Sequence, residues 1–226
     1  RIADQLQANN ANATGPVSIS FSGAALFSAG LNVNGTNLQP GNDLFHNALN
    51  GGWPPAATAA RVAGQQQILA LNQSNRMLGA ADKVYRDTLQ LSGILKNLGS
   101  STLTTQFPTT SLGNQLKDVA RFISLRAQIG AGRQVFFVGL GGFDTHSAQR
   151  FDQWSLLQQV SQALSAFYSA TVELGVANQV TAFTLSDFGR SLQASGTGSD
   201  HGWGNHHLVL GGAVNGGRIH GKFPLM

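Results

Sequence analysis

Histidine and acidic side chains are concentrated in the last part of the chain. Five of the six histidines lie between residues 146 and 220. A group that could do chemistry together consists of Asp144 with His146, Asp187, and Asp200 with His201. Imidazole and carboxylate are the ligands of zinc, manganese or iron, although Asp and His are also common in turns and caps. Because each member lies at a predicted strand end or in the loop after one, the grouping favours a metal or catalytic site.

Two further side-chain types extend this group. Arg190 lies three residues after Asp187, and its guanidinium could face a phosphate or sulfate, because its fork matches both anions bidentately. An ion pair that only supports the fold is the alternative for Arg190. His206 and His207 lie in a predicted strand, where neighbouring side chains point to opposite faces, so at most one of them is expected at the site.

The sequence offers no clear nucleophile. It lacks the Gly-x-Ser-x-Gly pattern of serine hydrolases, and Ser147 and Ser186 are as suited to a turn or cap as to catalysis.

The run Gly139-Leu-Gly-Gly142 lacks the ending of a P-loop and the spacing of a dinucleotide fingerprint. We therefore predict a tight turn there and leave the nucleophile unknown.

Two nearly continuous apolar runs must position these groups. Residues 134–140 and 179–185 are predicted strands, and an amphipathic helix over 151–174 joins them. This order implies parallel strands with a right-handed crossover, covered on both faces. Chemistry in such sheets lies beyond the carboxyl ends of the strands, so Asp144 and Asp187 are expected at one rim.

The rest of the chain is expected to complete a single α/β domain over residues 1–226. Residues 17–21 alternate apolar and polar, which predicts a half-buried strand. A loop-rich excursion follows at 22–55, and a helical segment follows at 56–130. After Arg190 a loop is predicted through 204.

Composition limits the classes of function. The net charge is +4, but the basic residues are scattered singly, so nucleic-acid binding is not expected. The absence of cysteine excludes disulfides and thiolate metal sites, and no run reaches the roughly 18 apolar residues of a membrane span. The absence of cysteine leaves the compartment open, and a charge-poor chain without cysteine fits an exported bacterial protein. No signal peptide is visible, and the first residue is Arg1, so we expect a part of a longer chain.

Three stretches carry a resemblance to a known family. They are 140–146 (LGGFDTH), 185–190 (LSDFGR) and 197–212 (TGSDHGWGNHHLVLGG). They resemble the DUF1501 family, exported bacterial proteins related distantly to alkaline phosphatases and sulfatases. The resemblance implies a three-layer α/β/α sandwich with a mainly parallel sheet, alkaline-phosphatase-like and incomplete in this chain. It also implies a periplasmic or extracellular location.

Laid on this sequence, the superfamily pattern makes Asp144 and His146 ligands of one metal. A later ligand to the same metal is His201, with His206 as the alternative and Asp200 as a weaker candidate. Asp187 would ligate or bridge to a second site. The superfamily's second-metal histidine is replaced here by Phe188, so one site is expected rather than two.

The implied cofactor is a divalent metal: zinc, manganese or calcium. The implied activity is hydrolysis of small phosphate or sulfate esters, with Arg190 binding the anion and the nucleophile outside this chain. The alternative is a non-catalytic exported protein that uses a degenerate phosphatase fold for binding or surface assembly. The sequence does not indicate an oligomeric state.

Overall fold

A computed structural model describes residues 2–10, 13, 15–33, 35–39, 55–71, 76–96, 103–130 and 132–222. Within these ranges the protein is mixed α/β. The helices are α1 (Ile2–Gln7), α2 (Pro55–Leu69), α3 (Arg76–Lys96), α4 (Ser111–Ser124), α5 (Arg126–Ile129) and α6 (Gln149–Glu173). The strands are β1 (Ser18–Ser20), β2 (Thr36–Asn37), β3 (Val135–Phe137), β4 (Ala182–Phe183), β5 (Gly189–Ser195), β6 (Gly198–Gly202) and β7 (Val209–Leu210).

The chain forms two compact units. The first comprises Arg1–Ser101 and Arg121–Val138, and the second comprises Thr102–Ala120 and Gly139–Met226. Helices α2 to α5 lie in the segment predicted to be helical. Strand β2 lies in the predicted excursion, of which residues 40–54 are outside the described ranges. None of the described helices combines the length and apolar character needed to cross a membrane.

The first unit is built on a three-stranded parallel sheet in the order β2-β1-β3. The strand predicted at 17–21 is present as β1, but it is buried on both faces rather than on one. Ser18 and Ser20 are buried with Ile19, because β1 is the central strand and is paired along both edges. Phe122 packs edge-on against Phe21, with ring centroids 5.9 Å apart, and completes this core.

A buried asparagine ties the amino-terminal helix of this unit to the strand β3. The Asn10 amide nitrogen donates to the carbonyl oxygens of Leu6 and Arg133, at 2.8 and 2.6 Å. Its side-chain oxygen accepts from the backbone N–H groups of Gly132 and Arg133. Asn10 is only 3% exposed, so all four hydrogen bonds lie in a protected environment.

The second unit is organised on the long helix α6. The helix predicted at 151–174 is confirmed, with Ala163, Phe167 and Ala170 buried at helical spacing on one face. Gly175 follows it with a φ of 68°, the left-handed conformation that ends many helices. Strands β4 and β7 form an antiparallel pair in the same unit.

The carboxylate of Glu173, at the end of α6, binds the segment that contains Thr104 and Thr105 in the second unit. It accepts hydrogen bonds from the backbone N–H and the hydroxyl of both Thr104 and Thr105, at 2.6 to 3.0 Å. These donors, first of all the Thr104 backbone N–H, lower the pKa of Glu173 to about 2. The carboxylate is therefore held in its ionised form.

The two predicted crossover strands have different partners. Strand β3, within 134–140, pairs in parallel with β1, whereas β4, within 179–185, pairs antiparallel with β7. The described residues therefore do not join the two strands in one hydrogen-bonded parallel sheet. The order strand, helix, strand predicts a crossover only when both strands pair in the same sheet, and this condition is not visible in the apolar pattern.

Candidate metal site

Strands β5 and β6 form an antiparallel hairpin with Gly196 and Thr197 in its turn. The prediction of a loop from Arg190 to residue 204 is therefore wrong. The hairpin could not be predicted from the sequence, because no alternating apolar pattern marks β5. This strand is mostly polar and exposed, and its register is irregular between Arg190 and Ala194. The register sets Arg190 opposite His201, and opposite residues of an antiparallel pair project to the same face.

The loop after β3 carries Asp144 and His146, and side chains from two helices hold it. The backbone N–H of Gly139 donates to the Gln115 side-chain oxygen at 2.8 Å, and the Gln115 amide donates back to the Gly139 carbonyl at 2.9 Å. Further along, Gln153 of α6 donates to the hydroxyl of buried Thr145 at 3.1 Å. Asp144 lies between these two contacts, which hold the backbone that carries it.

The start of β6 contacts the other end of this loop. A Cβ atom at Gly198 would lie 2.2 Å from the carbonyl carbon of His146 and 2.6 Å from the Thr145 carbonyl oxygen. Only a glycine allows this approach. The turn also caps α6, because Thr197 accepts from the backbone N–H groups of Ala148 and Gln149. The hairpin, the loop and the start of α6 therefore form one local framework.

Three potential ligands converge within this framework. The Asp144 Oδ1 atom lies 2.7 Å from His201 Nε2 and 2.9 Å from His146 Nε2. One ligand atom from each of the three residues lies within 4.8 Å of the others, and all three side chains are exposed. Among the described residues, this is the group whose chemistry and spacing suit a metal ion.

The donor set fits a divalent ion with a small adjustment. Metal–ligand bonds of about 2.1 Å separate two ligands of a tetrahedral zinc by roughly 3.4 Å. The two contacts of Asp144 are shorter than this, as expected when a proton rather than a metal joins carboxylate and imidazole. Opening them by about 0.5 to 0.7 Å requires only small rotations of exposed side chains.

The surroundings keep Asp144 ionised. The hydrogen bond with His201 is the main cause that lowers the pKa of Asp144, and the nearby His146, His201 and Arg190 lower it further. Partial desolvation opposes these effects but is smaller than the leading one. An ionised carboxylate is the form that binds a metal.

Arg190 points toward the same carboxylate. Its Nη2 atom lies 3.2 Å from Asp144 Oδ1 and donates to the Phe143 carbonyl at 2.6 Å. Its Nη1 atom donates to the Ser199 carbonyl, also at 2.6 Å. The Arg190 side chain is 13% exposed, whereas the three potential ligands are about half exposed.

Asp200 and Phe188 surround the two histidines. Asp200 Oδ1 lies 3.4 Å from His146 Nδ1, the ring nitrogen that does not face Asp144. The Phe188 ring is stacked on His201 with centroids 3.9 Å apart and planes 6° apart. Phe188, noted in the sequence only as a missing ligand, therefore orients His201, one of the three potential ligands.

Three other predicted groups lie outside the converging set. Asp187 and His206 are exposed and do not belong to the group of three. Ser186 donates its hydroxyl to the Phe188 carbonyl at 2.8 Å, which is a local turn bond. The structure therefore brings together Asp144, His146 and His201.

Sequence reasoning did not find the supporting residues Gln115 and Gly198. Gln115 lies on the buried face of an amphipathic helix, where a polar residue is itself a signal of a specific hydrogen bond. Gly198 belongs to the run Ser-Gly-Thr-Gly at 195–198, whose glycines are typical of a hairpin turn. Both signals are visible in the sequence, but only the fold shows that Gln115 and Gly198 contact the loop that carries Asp144 and His146.

No curated protein and no solved structure matches the chain. A family model described as "Protein of unknown function (DUF1501)" matches residues 46–226. This range includes the loop with Asp144 and His146 and the whole β5–β6 hairpin. With most of its length matched, the chain belongs to the DUF1501 family.

Proposed function

We propose that this protein is a metal-dependent hydrolase of phosphate or sulfate esters, with Asp144, His146 and His201 as ligands of one divalent ion. The observation that carries the proposal is the convergence of one carboxylate oxygen and two imidazole nitrogens on exposed side chains. Structural zinc sites have four protein ligands, whereas catalytic ones have three and leave a position for water or substrate. A three-ligand, exposed set matches the catalytic type.

The donor chemistry narrows the choice of metal. Two nitrogen ligands favour zinc or manganese over calcium, which takes oxygen ligands. A bound ion of this kind stabilises negative charge on the transferring group and activates water. The part of the chain is to hold the ion: Asp144 supplies the negative charge, and His146 and His201 supply neutral nitrogen donors.

The proposal also includes the wider features expected from the superfamily. These are a three-layer α/β/α sandwich around the parallel sheet, one domain over residues 1–226, and export to the bacterial periplasm or the medium. A ligand role for Asp187 at a second ion stays a prediction, as does a ligand role for His206. An anion-binding role for Arg190 comes from its sequence context and the superfamily analogy alone. Family analogy supports these features, and fold alone does not settle function.

Metal binding to the purified protein provides the first test. We expect about one zinc or manganese ion per chain, bound more tightly than calcium, and loss of that ion in Asp144→Ala. Asp152→Ala, which removes a carboxylate on α6 outside the cluster, serves as the matched control and should bind normally. Stoichiometric metal retained by Asp144→Ala would refute the site assignment. A second ion lost in Asp187→Ala would revise the stoichiometry.

Turnover provides the second test. The metal-loaded protein is incubated with an aryl phosphate and an aryl sulfate, and product is measured against the Asp144→Ala variant. We expect hydrolysis of one of the two esters that depends on both the metal and Asp144. Metal binding without hydrolysis of either ester would remove the hydrolase assignment and keep the metal site.

One observation favours a second candidate, a non-catalytic exported binding protein. By superfamily analogy Phe188 stands where a second-metal ligand is expected, and its ring is stacked on His201, which argues against a two-metal centre. This candidate predicts that metal raises the melting temperature by binding only the folded state, while neither ester is hydrolysed.

A further inference from the structure

The Arg190 guanidinium joins three segments of the second unit. Its two terminal nitrogens donate to the carbonyl oxygens of Phe143 and Ser199, each at 2.6 Å. Phe143 lies in the loop that carries Asp144, and Ser199 lies on β6, two residues before His201. Arg190 itself is on β5. One side chain therefore spans the loop and both strands of the hairpin.

Arg190 also contacts the proposed ligands. Its Nη2 atom lies 3.2 Å from Asp144 Oδ1, and its backbone is paired with that of His201. The Phe188 ring, which stacks on His201, lies 5.2 Å from the Arg190 Cζ atom. Through these contacts Arg190 fixes the carboxylate directly and the imidazole indirectly.

The same contacts leave no open edge for a substrate anion. A bidentate contact with phosphate or sulfate uses two neighbouring N–H groups of the guanidinium. The edge that includes Nε is closed to an anion from solvent, since the Nε atom is buried. Both terminal nitrogens already donate, to the carbonyl oxygens of Phe143 and Ser199, and Ser199 is buried. Turning Arg190 toward an anion would leave the buried Ser199 carbonyl without its donor, which is unfavourable.

We infer that Arg190 is a positioning residue, which holds Asp144 and His201 in their metal-binding arrangement and does not contact the substrate. The inference rests on the proposed metal site and assigns Arg190 a role different from the one its sequence context suggested. Arginine suits the role because its planar fork reaches two carbonyls and a carboxylate at once. Lysine has the same charge but no fork.

The test compares Arg190→Lys with wild type in two readouts. Zinc affinity is measured by competition with a chromogenic chelator, and inorganic phosphate is then titrated as an inhibitor of ester hydrolysis. A positioning role predicts zinc affinity about 10- to 100-fold weaker in Arg190→Lys, the range found for groups that orient metal ligands. It also predicts little change in phosphate affinity once zinc is saturating.

Either of two results would overturn the inference. One is unchanged zinc affinity in Arg190→Lys, and the other is a clear fall in phosphate affinity of that variant at saturating zinc. Arg150→Lys, a change at an exposed arginine of α6, is the matched control and should leave both readouts at the wild-type value. Absence of metal from wild type would instead overturn the proposed function and this inference with it.

A measurement on the wild-type protein covers the case in which Arg190→Lys does not fold. The Arg190 Nε–H signal is followed by NMR in zinc-loaded protein during a titration with inorganic phosphate. We expect the signal to stay in place, because Nε is buried and its neighbours are already bonded. A saturable shift of that signal would show a direct contact with the anion and overturn the positioning role.

Discussion

Replacing Gly198 with alanine should weaken metal binding without removing a ligand. Gly198 is the first residue of β6, directly after the hairpin turn, and lies against the backbone of the loop that carries His146. A methyl group there would lie 2.2 Å from the His146 carbonyl carbon and 2.4 Å from its oxygen. Carbon atoms in good contact are about 3.5 to 4.0 Å apart, so the two segments must separate by at least about 1 Å.

The geometry indicates which segment moves. The turn is held to the start of α6 by two hydrogen bonds of Thr197, at 3.0 and 3.1 Å. Since these bonds hold the turn to Ala148 and Gln149, separation of Gly198 from His146 must distort the short backbone segment between them. We expect the displacement to reach His146, whose side chain must stay near its ideal distance from the proposed ion. Metal sites tolerate deviations of roughly 0.2 Å in ligand distance, well below the required shift. We expect metal affinity to fall about 10- to 100-fold, equivalent to roughly 1.4 to 2.7 kcal/mol.

The assay is chelator competition with zinc, supported by the visible spectrum of the cobalt-loaded protein, which reports ligand geometry. Overpacking also destabilises the fold, by about 1 to 3 kcal/mol, so binding is measured well below the melting temperature. Gly204→Ala is the matched control, since a Cβ atom there meets nothing within 4 Å. A folded Gly198→Ala variant with wild-type zinc affinity and spectrum would refute the reasoning that the hairpin turn sets the position of His146.

Three further predictions concern the fold. Glu173→Gln should lower the melting temperature at neutral pH but not near pH 2. The pKa of Glu173 falls from 4.5 to about 2 on folding. The ionised carboxylate therefore stabilises the fold above pH 4.5, and this stabilisation is lost as the pH falls toward 2. A difference in melting temperature between variant and wild type that does not change with pH would contradict this. Ala148→Gly should raise the free energy of unfolding, measured in urea, by up to about 1 kcal/mol, because Ala148 has a φ of 48°; a loss of stability would contradict it. Asn10→Ala should cost about 2 to 3 kcal/mol in the same measurement, since four protected hydrogen bonds are removed, whereas Asn9→Ala, at an exposed neighbour, should change little.

Local pattern was sufficient for several elements and for selecting the candidate ligands of the site. The apolar spacing over 151–174 predicted α6, and the alternation at 17–21 predicted β1, since both periodicities are properties of neighbouring residues. The types and spacing of Asp144 and His146 predicted a metal ligand pair in the turn after a strand. The resemblance of three short stretches led to the DUF1501 family, which the family match confirms.

The pairing of segments that are distant in the sequence could not be predicted. Asp144 and His201 are 57 residues apart, and their contact depends on a polar hairpin that no hydrophobic period marks. The same pairing decides that His201 joins the cluster while Asp187 and His206 stay outside it.

The sequence by itself determined which side chains could bind a metal, because ligand chemistry is a property of residue type. Only the tertiary structure decided which of them converge and what Arg190 does. An arginine three residues after an aspartate looks equally suited to a substrate anion or an ion pair. Its two 2.6 Å bonds to backbone carbonyls and its contact with Asp144 exist only because the hairpin folds against the loop.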